Sequence, residues 1–172
     1  MIFVTVGMER FPFDRLIRTM DLAVGKGKVR EPVFIQRGRS SYVPMYAKHT
    51  DFMEFSQIVQ VLEKARVVVS HAGVGSFLLC LRMGKVPILV PRKASFGEHL
   101  DDHQIDFVRE IEALNKALVA YETDQVLRMI ELYPWLVGKI GLKESFHADN
   151  TLAFCIKELM KSGERGGRPF HR

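Results

Sequence analysis

The chain alternates short, almost wholly apolar runs with stretches whose apolar residues recur every three or four positions, and this alternation narrows the fold more than any other feature. The runs are Ile2–Val6, Val33–Gln36, Val67–Val69, Val86–Val90 and Ala117–Ala120. An apolar run with little polar alternation is what a strand covered on both faces requires. Between the runs, Leu16, Ile17, Met20 and Ala23 follow helical spacing, as do Phe55, Ile58, Val59, Leu62 and Ala65. Further helices are predicted from about Gly75 to Met83, His99 to Glu112, Asp124 to Tyr133 and Asn150 to Lys161. The segment Arg37–Lys48, with Gly38, Ser40, Ser41 and Pro44, reads as a polar loop. There is no hairpin dipeptide and no internal repeat. Strand and helix in strict succession predict an α/β fold: an open, mostly parallel sheet with helices on both faces, joined by right-handed crossovers.

A chain of 172 residues, 47% of them hydrophobic, buries enough surface for one core. We expect a single domain over residues 1–162 and a flexible basic tail over 163–172. No apolar run approaches the roughly 20 residues of a membrane span, and MIFVTVG lacks the basic start of a signal peptide. The expectation is therefore a soluble, cytoplasmic protein. Cys80 and Cys155 sit in helical apolar patterns without a paired motif, as reduced core thiols do. Much of the formal charge of +5 gathers at the end, where Lys157, Lys161, Arg165, Arg168 and Arg172 outnumber Glu158 and Glu164. Such a tail suits a partner or an anionic membrane surface, and nucleic acid is not expected as a ligand.

In a doubly wound sheet, ligands bind outside the carboxyl ends of the strands. That rule gathers Gly7-Met8-Glu9, Ser70–Ser76 and Pro91–His103 on one rim. The stretch VVVSHAGVGS ends a strand in a histidine and then Gly-x-Gly. Glycines there permit a tight turn, and a helix starting near Gly75-Ser76 offers unpaired amides to an anion. Ser70, Gly73, Val74, Gly75 and Ser76 are accordingly candidate phosphate contacts, although such a turn also serves simply to fit helix on strand. Neither the P-loop pattern nor the full dinucleotide pattern is present.

The second polar stretch, PRKASFGEHLDDHQ, follows an apolar strand. Its acidic groups suit sugar hydroxyls, and Arg92 and Lys93 suit phosphate. His99 and His103, four apart on the expected helix with Asp102 beside them, have the ring types of a metal site. No third ligand is evident and the spacing is not that of a zinc protease, so no metal is expected. Tyr42, Tyr46 and His49 either line a sugar pocket or cover the sheet.

Three blocks carry a resemblance: MIFVTVG followed by FPFDRLI, then VVVSHAGVGSFLLCLRMGKVPILVPR, then FGEHLDDHQIDFVREI. Over residues 1–120 the chain resembles the small Alg13/PssE/EpsF-like glycosyltransferase subunits. These correspond to the C-terminal, donor-binding half of GT-B (family 28, MurG-like) glycosyltransferases, a Rossmann-like domain. The resemblance implies a UDP-sugar as donor, with Gly73–Ser76 cradling its diphosphate and His71 at the head of that loop. It implies Glu98, Asp101 or Asp102 at ribose or sugar hydroxyls, His103 and Gln104 at the donor sugar or diphosphate, and Gly7 on the acceptor-side wall. His71 and Glu98 are the expected catalytic groups, and Arg92 a donor-binding one. The family carries threonine where this chain has Met8, so a hydroxyl donor is missing there.

The resemblance further implies a hexosyltransferase that is active only with a second, membrane-anchored Alg14/PssD-like subunit. That heterodimer would work on a lipid-linked acceptor in polysaccharide or lipid-linked oligosaccharide synthesis, peripherally at the membrane, with no cofactor required. The alternatives are a non-catalytic nucleotide-binding or regulatory module, and a phosphosugar-metabolising enzyme on the same scaffold.

Overall fold

The computed structural model describes residues 1–140 together with Cys155 and Lys157. The expected final helix and the basic tail otherwise lie outside the described residues. Six strands form one sheet: β1 (Ile2–Thr5), β2 (Val33–Gln36), β3 (Lys48–Thr50), β4 (Val67–His71), β5 (Ile88–Val90) and β6 (Leu118–Val119). Their order is β3-β2-β1-β4-β5-β6, and every paired neighbour runs parallel. The strand order reverses between β1 and β4, where Ile2 pairs with Val67 and Thr5 with Ser70. In such sheets this reversal point opens a crevice at the strands' carboxyl ends.

The helices are α1 (Asp14–Gly25), α2 (Phe55–Lys64), α3 (Val74–Arg82), α4 (His103–Ala113), α5 (Gln125–Glu131) and α6 (Tyr133–Gly138). Successive strand side chains point to opposite faces, and β1 shows the division. Ile2 and Val4 pack with Leu16, Ile17 and Met20 of α1 and with Val126 and Ile130 of α5. Phe3, between them, packs with Val68 of β4, Leu62 of α2 and Cys80 of α3. Farther along that second face, Leu89 and Val119 meet Phe77, Leu81, Phe107, Val108 and Ile111, joined by Cys155. Both cysteines are buried, and burial pushes the Cys80 thiol up to about 12.

The structure differs from the sequence expectation at three places. Lys48–Thr50 is an edge strand rather than the end of a loop. Its polar residues suit an edge, where charge discourages further pairing, and they carry no apolar signal. The helix expected from His99 begins at His103 instead. Ala94–Phe96 forms a 3-10 turn closed by Gly97 at φ +69, and Asp102 Oδ1 accepts the Ala94 amide at 2.8 Å. A left-handed glycine and a carboxylate engaged upstream hold residues 97–102 as a loop. Finally, Pro134 in the first turn of α6 separates it from α5.

Asp21 was not singled out from the sequence, yet it organises the long loop between β2 and β3. It is fully buried on α1 and accepts from the amides of Met45, Tyr46 and Ala47 and from the Tyr42 hydroxyl, at 2.7–2.9 Å. Burial alone would raise its pKa, but these four donors together hold it below the ordinary aspartate value. Tyr46 lies over Gly25, where a Cβ would meet its ring at 2.6 Å. Tyr42 and Tyr46 thus cover α1 instead of lining a pocket.

Candidate functional site

A cavity of about 630 Å³ opens at the reversal point of the strand order. Its walls come from the ends of β1, β2 and β4, the Gly7–Glu9 turn, the first turn of α3, the start of α4 and the α2 residues Phe55 and Ile58. The sequence-predicted residues Gly7, His71, Gly73, Val74, Gly75, Ser76, His103 and Gln104 all line it. Ser70, Arg92, Glu98 and Asp102 do not.

The turn after β1 is locked by polar residues at the strand ends. Thr5 Oγ1 donates to Gln36 Oε1 and accepts from the Gly7 amide at 3.3 Å, while Gln36 Nε2 donates to the Gly7 carbonyl at 3.1 Å. Gly7 has φ +76, a left-handed conformation that glycine adopts without strain. Its missing side chain also makes room: a Cβ would stand 2.6 Å from the His71 ring.

His71, at the end of β4, is only 4% exposed. A Cβ on Gly73 would lie 2.3 Å from its Nε2, so the imidazole sits between two glycines, one from each loop. Burial, reinforced by the Arg92 and His99 charges, drives its pKa down to about 3, with the Thr5 backbone opposing only in part. His71 is therefore a neutral imidazole at physiological pH. The Gly73 amide folds back onto the His71 carbonyl at 2.8 Å. The nine-residue helix α3 then starts with Val74, Gly75 and Ser76, and its first-turn amides border the cavity. A Cβ on Gly75 would meet nothing within 4 Å.

The remaining predicted residues are engaged elsewhere. Ser70 is fully buried and its hydroxyl donates to the His71 carbonyl at 2.9 Å. Arg92 is 0% exposed; its guanidinium donates to the Val6 carbonyl at 2.7 Å and to Glu9 at 3.1 Å and lies over Phe13. It braces the end of β1 against β5. Gln104 Oε1 accepts the Arg92 amide at 3.1 Å, which fixes the carboxamide at the cavity wall.

Glu98 is nearly buried and holds Arg15 through two hydrogen bonds of 3.0 Å while accepting the Lys93 amide at 3.0 Å. That arrangement makes it a strut between α1 and the β5–α4 loop. Arg15 is its partner and also lies 3.7 Å from Glu122.

Beside the crevice, the rings of His99 and His103 meet edge to face at 4.4 Å, though only His103 is helical. Asp101, not Asp102, lies between them: its Oδ1 contacts His103 Nδ1 and stands 3.4 Å from His99 Nδ1. Glu9 Oε2 is 3.3 Å from His99 Nε2. Thr5 and Gln36 are site residues the sequence reading passed over, and Glu9 was placed on the rim without a role. Their signal was a polar residue at, or just past, the carboxyl end of an apolar strand.

Comparison with known proteins identifies the family and the fold. Residues 1–130 match the family model described as the glycosyltransferase family 28 C-terminal domain. The chain is 30% identical over 142 residues to the UDP-N-acetylglucosamine transferase subunit ALG13 of Yarrowia lipolytica, covering 73% of this chain and 67% of that protein. Among solved structures, MurG of Acinetobacter baumannii superposes with a TM-score of 0.54 at 16% identity, covering 92% of this chain and 49% of MurG. The glycosyltransferase SnogD from Streptomyces nogalater gives 0.52 at 15% identity, covering 92% of this chain and 43% of SnogD. The chain thus has the Rossmann-like fold of GT-B glycosyltransferases and spans less than half of either solved enzyme.

Proposed function

This chain belongs to the glycosyltransferase family 28 C-terminal domain family, and on that premise we propose that it is the donor-binding subunit of a two-component UDP-sugar glycosyltransferase. The observation that carries the reading is the crevice between β1 and β4, bordered by the first-turn amides of α3 and floored by a neutral, buried His71. Departure of UDP from an anomeric carbon builds negative charge on the diphosphate. Helix-end amides aimed at that charge stabilise it without reorganising, which favours the transition state over the ground state. The amides of Val74, Gly75 and Ser76 take this role, assisted by the Ser76 hydroxyl. His71, held uncharged, shapes the turn that presents them. His103 and Gln104, on the facing wall, contact the donor. Glu98 serves the reaction indirectly, as the strut that positions the β5–α4 loop.

A base that takes the proton of the acceptor hydroxyl is assigned to a second subunit, because GT-B enzymes divide donor and acceptor sites between two halves and this chain matches one. We place that base on a membrane-anchored, Alg14/PssD-like partner that also holds a lipid-linked acceptor. The complex would then sit peripherally on the membrane. No helix among the described residues is long and apolar enough to cross one. The Yarrowia relative makes UDP-N-acetylglucosamine the first donor to test.

Calorimetric titration of the purified chain with UDP, UDP-N-acetylglucosamine and other UDP-sugars, against ADP, tests the donor site. Selective UDP binding supports the reading. If the chain binds no UDP alone and none when co-expressed with such a partner, the donor-subunit reading fails.

A further inference from the structure

The strongest feature that the proposed transfer chemistry touches only through His103 is the cluster of His99, Asp101 and His103, whose ligand atoms all lie within 4.8 Å of one another. Three details distinguish it from an ordinary surface group of charges. His99 Nδ1 is buried and makes no hydrogen bond, although Asp101 Oδ1 stands 3.4 Å away. The same Asp101 oxygen contacts His103 Nδ1. The other nitrogen of His99 is held by Glu9 Oε2 at 3.3 Å, and the ring itself packs against Phe11 at 4.8 Å. An imidazole with one nitrogen on a carboxylate and the other turned toward a mixed nitrogen and oxygen donor set has the outer-shell support typical of a metal-ligating histidine.

We propose that His99 Nδ1, Asp101 Oδ1 and His103 Nδ1 bind one divalent transition-metal ion of the zinc class, with Glu9 orienting His99. Two nitrogen donors and one oxygen suit zinc, cobalt or nickel and disfavour magnesium and calcium, which prefer oxygen throughout. The cation takes the place of the hydrogen bond between Asp101 Oδ1 and His103 Nδ1. Three protein ligands leave a fourth position, and because His103 and Glu9 line the crevice this position borders it. Water, or a phosphate oxygen of a ligand, is the chemistry that fits there. The ion ties the 97–102 loop, which glycine and an upstream hydrogen bond keep out of helix, to the first residue of α4. Binding of the metal alone does not depend on the transferase reading, and the transfer chemistry above is not routed through it.

The test uses the full chain without an affinity tag, stripped with chelator, dialysed and titrated with zinc chloride alone in a calorimeter. One ion per chain with a dissociation constant of about 1 μM or tighter is expected, and cobalt(II) should give visible d–d absorption of a four- or five-coordinate site. Asp101→Asn and His99→Gln should each weaken zinc by about 100-fold or more, and Glu9→Gln by roughly 10- to 100-fold. His49→Gln, on the far edge strand β3, should leave it unchanged. Zinc should raise the melting temperature of the wild type and of His49→Gln but not of Asp101→Asn. Failure of the wild type to bind zinc saturably overturns the proposal, whatever the variants do. So does unchanged affinity in Asp101→Asn and His99→Gln proteins whose circular dichroism matches the wild type.

Discussion

A Cβ on Gly73 would lie 2.3 Å from Nε2 of His71, so the imidazole fills the space that the glycine leaves. Gly73 has an ordinary extended conformation, with φ −88, and its requirement for glycine is steric rather than conformational. Gly7 closes the other side of the same ring and needs its left-handed φ as well. The glycines of this loop therefore do different things, and Gly75, with open space around it, is the one whose substitution reports on a ligand.

Gly75→Ala should leave the protein as stable as the wild type or raise stability by about 0.5–1 kcal/mol, as expected when alanine replaces glycine in a helix. Its methyl enters the first turn of α3 and should weaken UDP binding. Gly73→Ala should instead cost about 1–3 kcal/mol by overpacking against His71. Urea unfolding and UDP calorimetry on both variants separate the two effects. Undiminished UDP affinity in Gly75→Ala would remove the diphosphate from this turn.

Acid should unfold the protein in two windows. His71 has a folded pKa of about 3 against 6.5 when exposed, so the unfolded chain binds the extra proton between those values. Its contribution is complete above about pH 6.5 and declines as pH falls toward 3, at up to about 1.4 kcal/mol per pH unit. Asp21, with a lowered folded pKa, contributes above its ordinary 3.8 and is lost only as pH falls through its folded value. Stability curves from pH 8 to 3 should flatten between 6.5 and 4 in His71→Gln, while Asp21→Asn should change mainly the lower window.

Asp21→Asn should also destabilise at neutral pH by about 1.5–3 kcal/mol, because a buried carboxylate that accepts four hydrogen bonds is replaced by a group that accepts fewer. Amide exchange should accelerate at Met45, Tyr46 and Ala47 while β1 and β4 stay protected. Uniform acceleration across the sheet would mean that the loop is not held locally.

Arg15→Ala leaves Glu98 nearly buried with only the Lys93 amide, and should cost about 2–3 kcal/mol, below the 3–5 of a fully buried pair because Arg15 is partly exposed. A double-mutant cycle with Glu98→Ala should return a coupling of about 1–3 kcal/mol. A coupling near zero would release Glu98 from its structural role and return it to the list of donor contacts.

The parallel sheet was legible because strands covered on both faces are unbroken apolar runs, as in Val67–Val69 and Val86–Val90. The edge strand Lys48–Thr50 was not, since one side of it meets solvent and nothing in Lys-His-Thr marks a strand. The stretch from Gly73 to Ser76 was legible as a turn from strand into helix, but the reason for Gly73 was hidden until the His71 ring appeared beside it. Arg92 was expected to bind the donor and Glu98 to be catalytic, and neither lines the crevice. Their actual partners, Val6 and Glu9 for one and Arg15 for the other, lie more than eighty positions away in the chain, and no local pattern announces such pairings.

The pairing of β1 with β4 joins residues about 65 positions apart, and the crevice exists only along that seam. Closing so long a chain loop is entropically slow, and contacts of this separation form late in folding. No fragment containing only the first three strands, or only the last three, owns both walls. The crevice is consequently a property of the completed molecule: a nascent chain gains it only when the two halves of the sheet have zipped together.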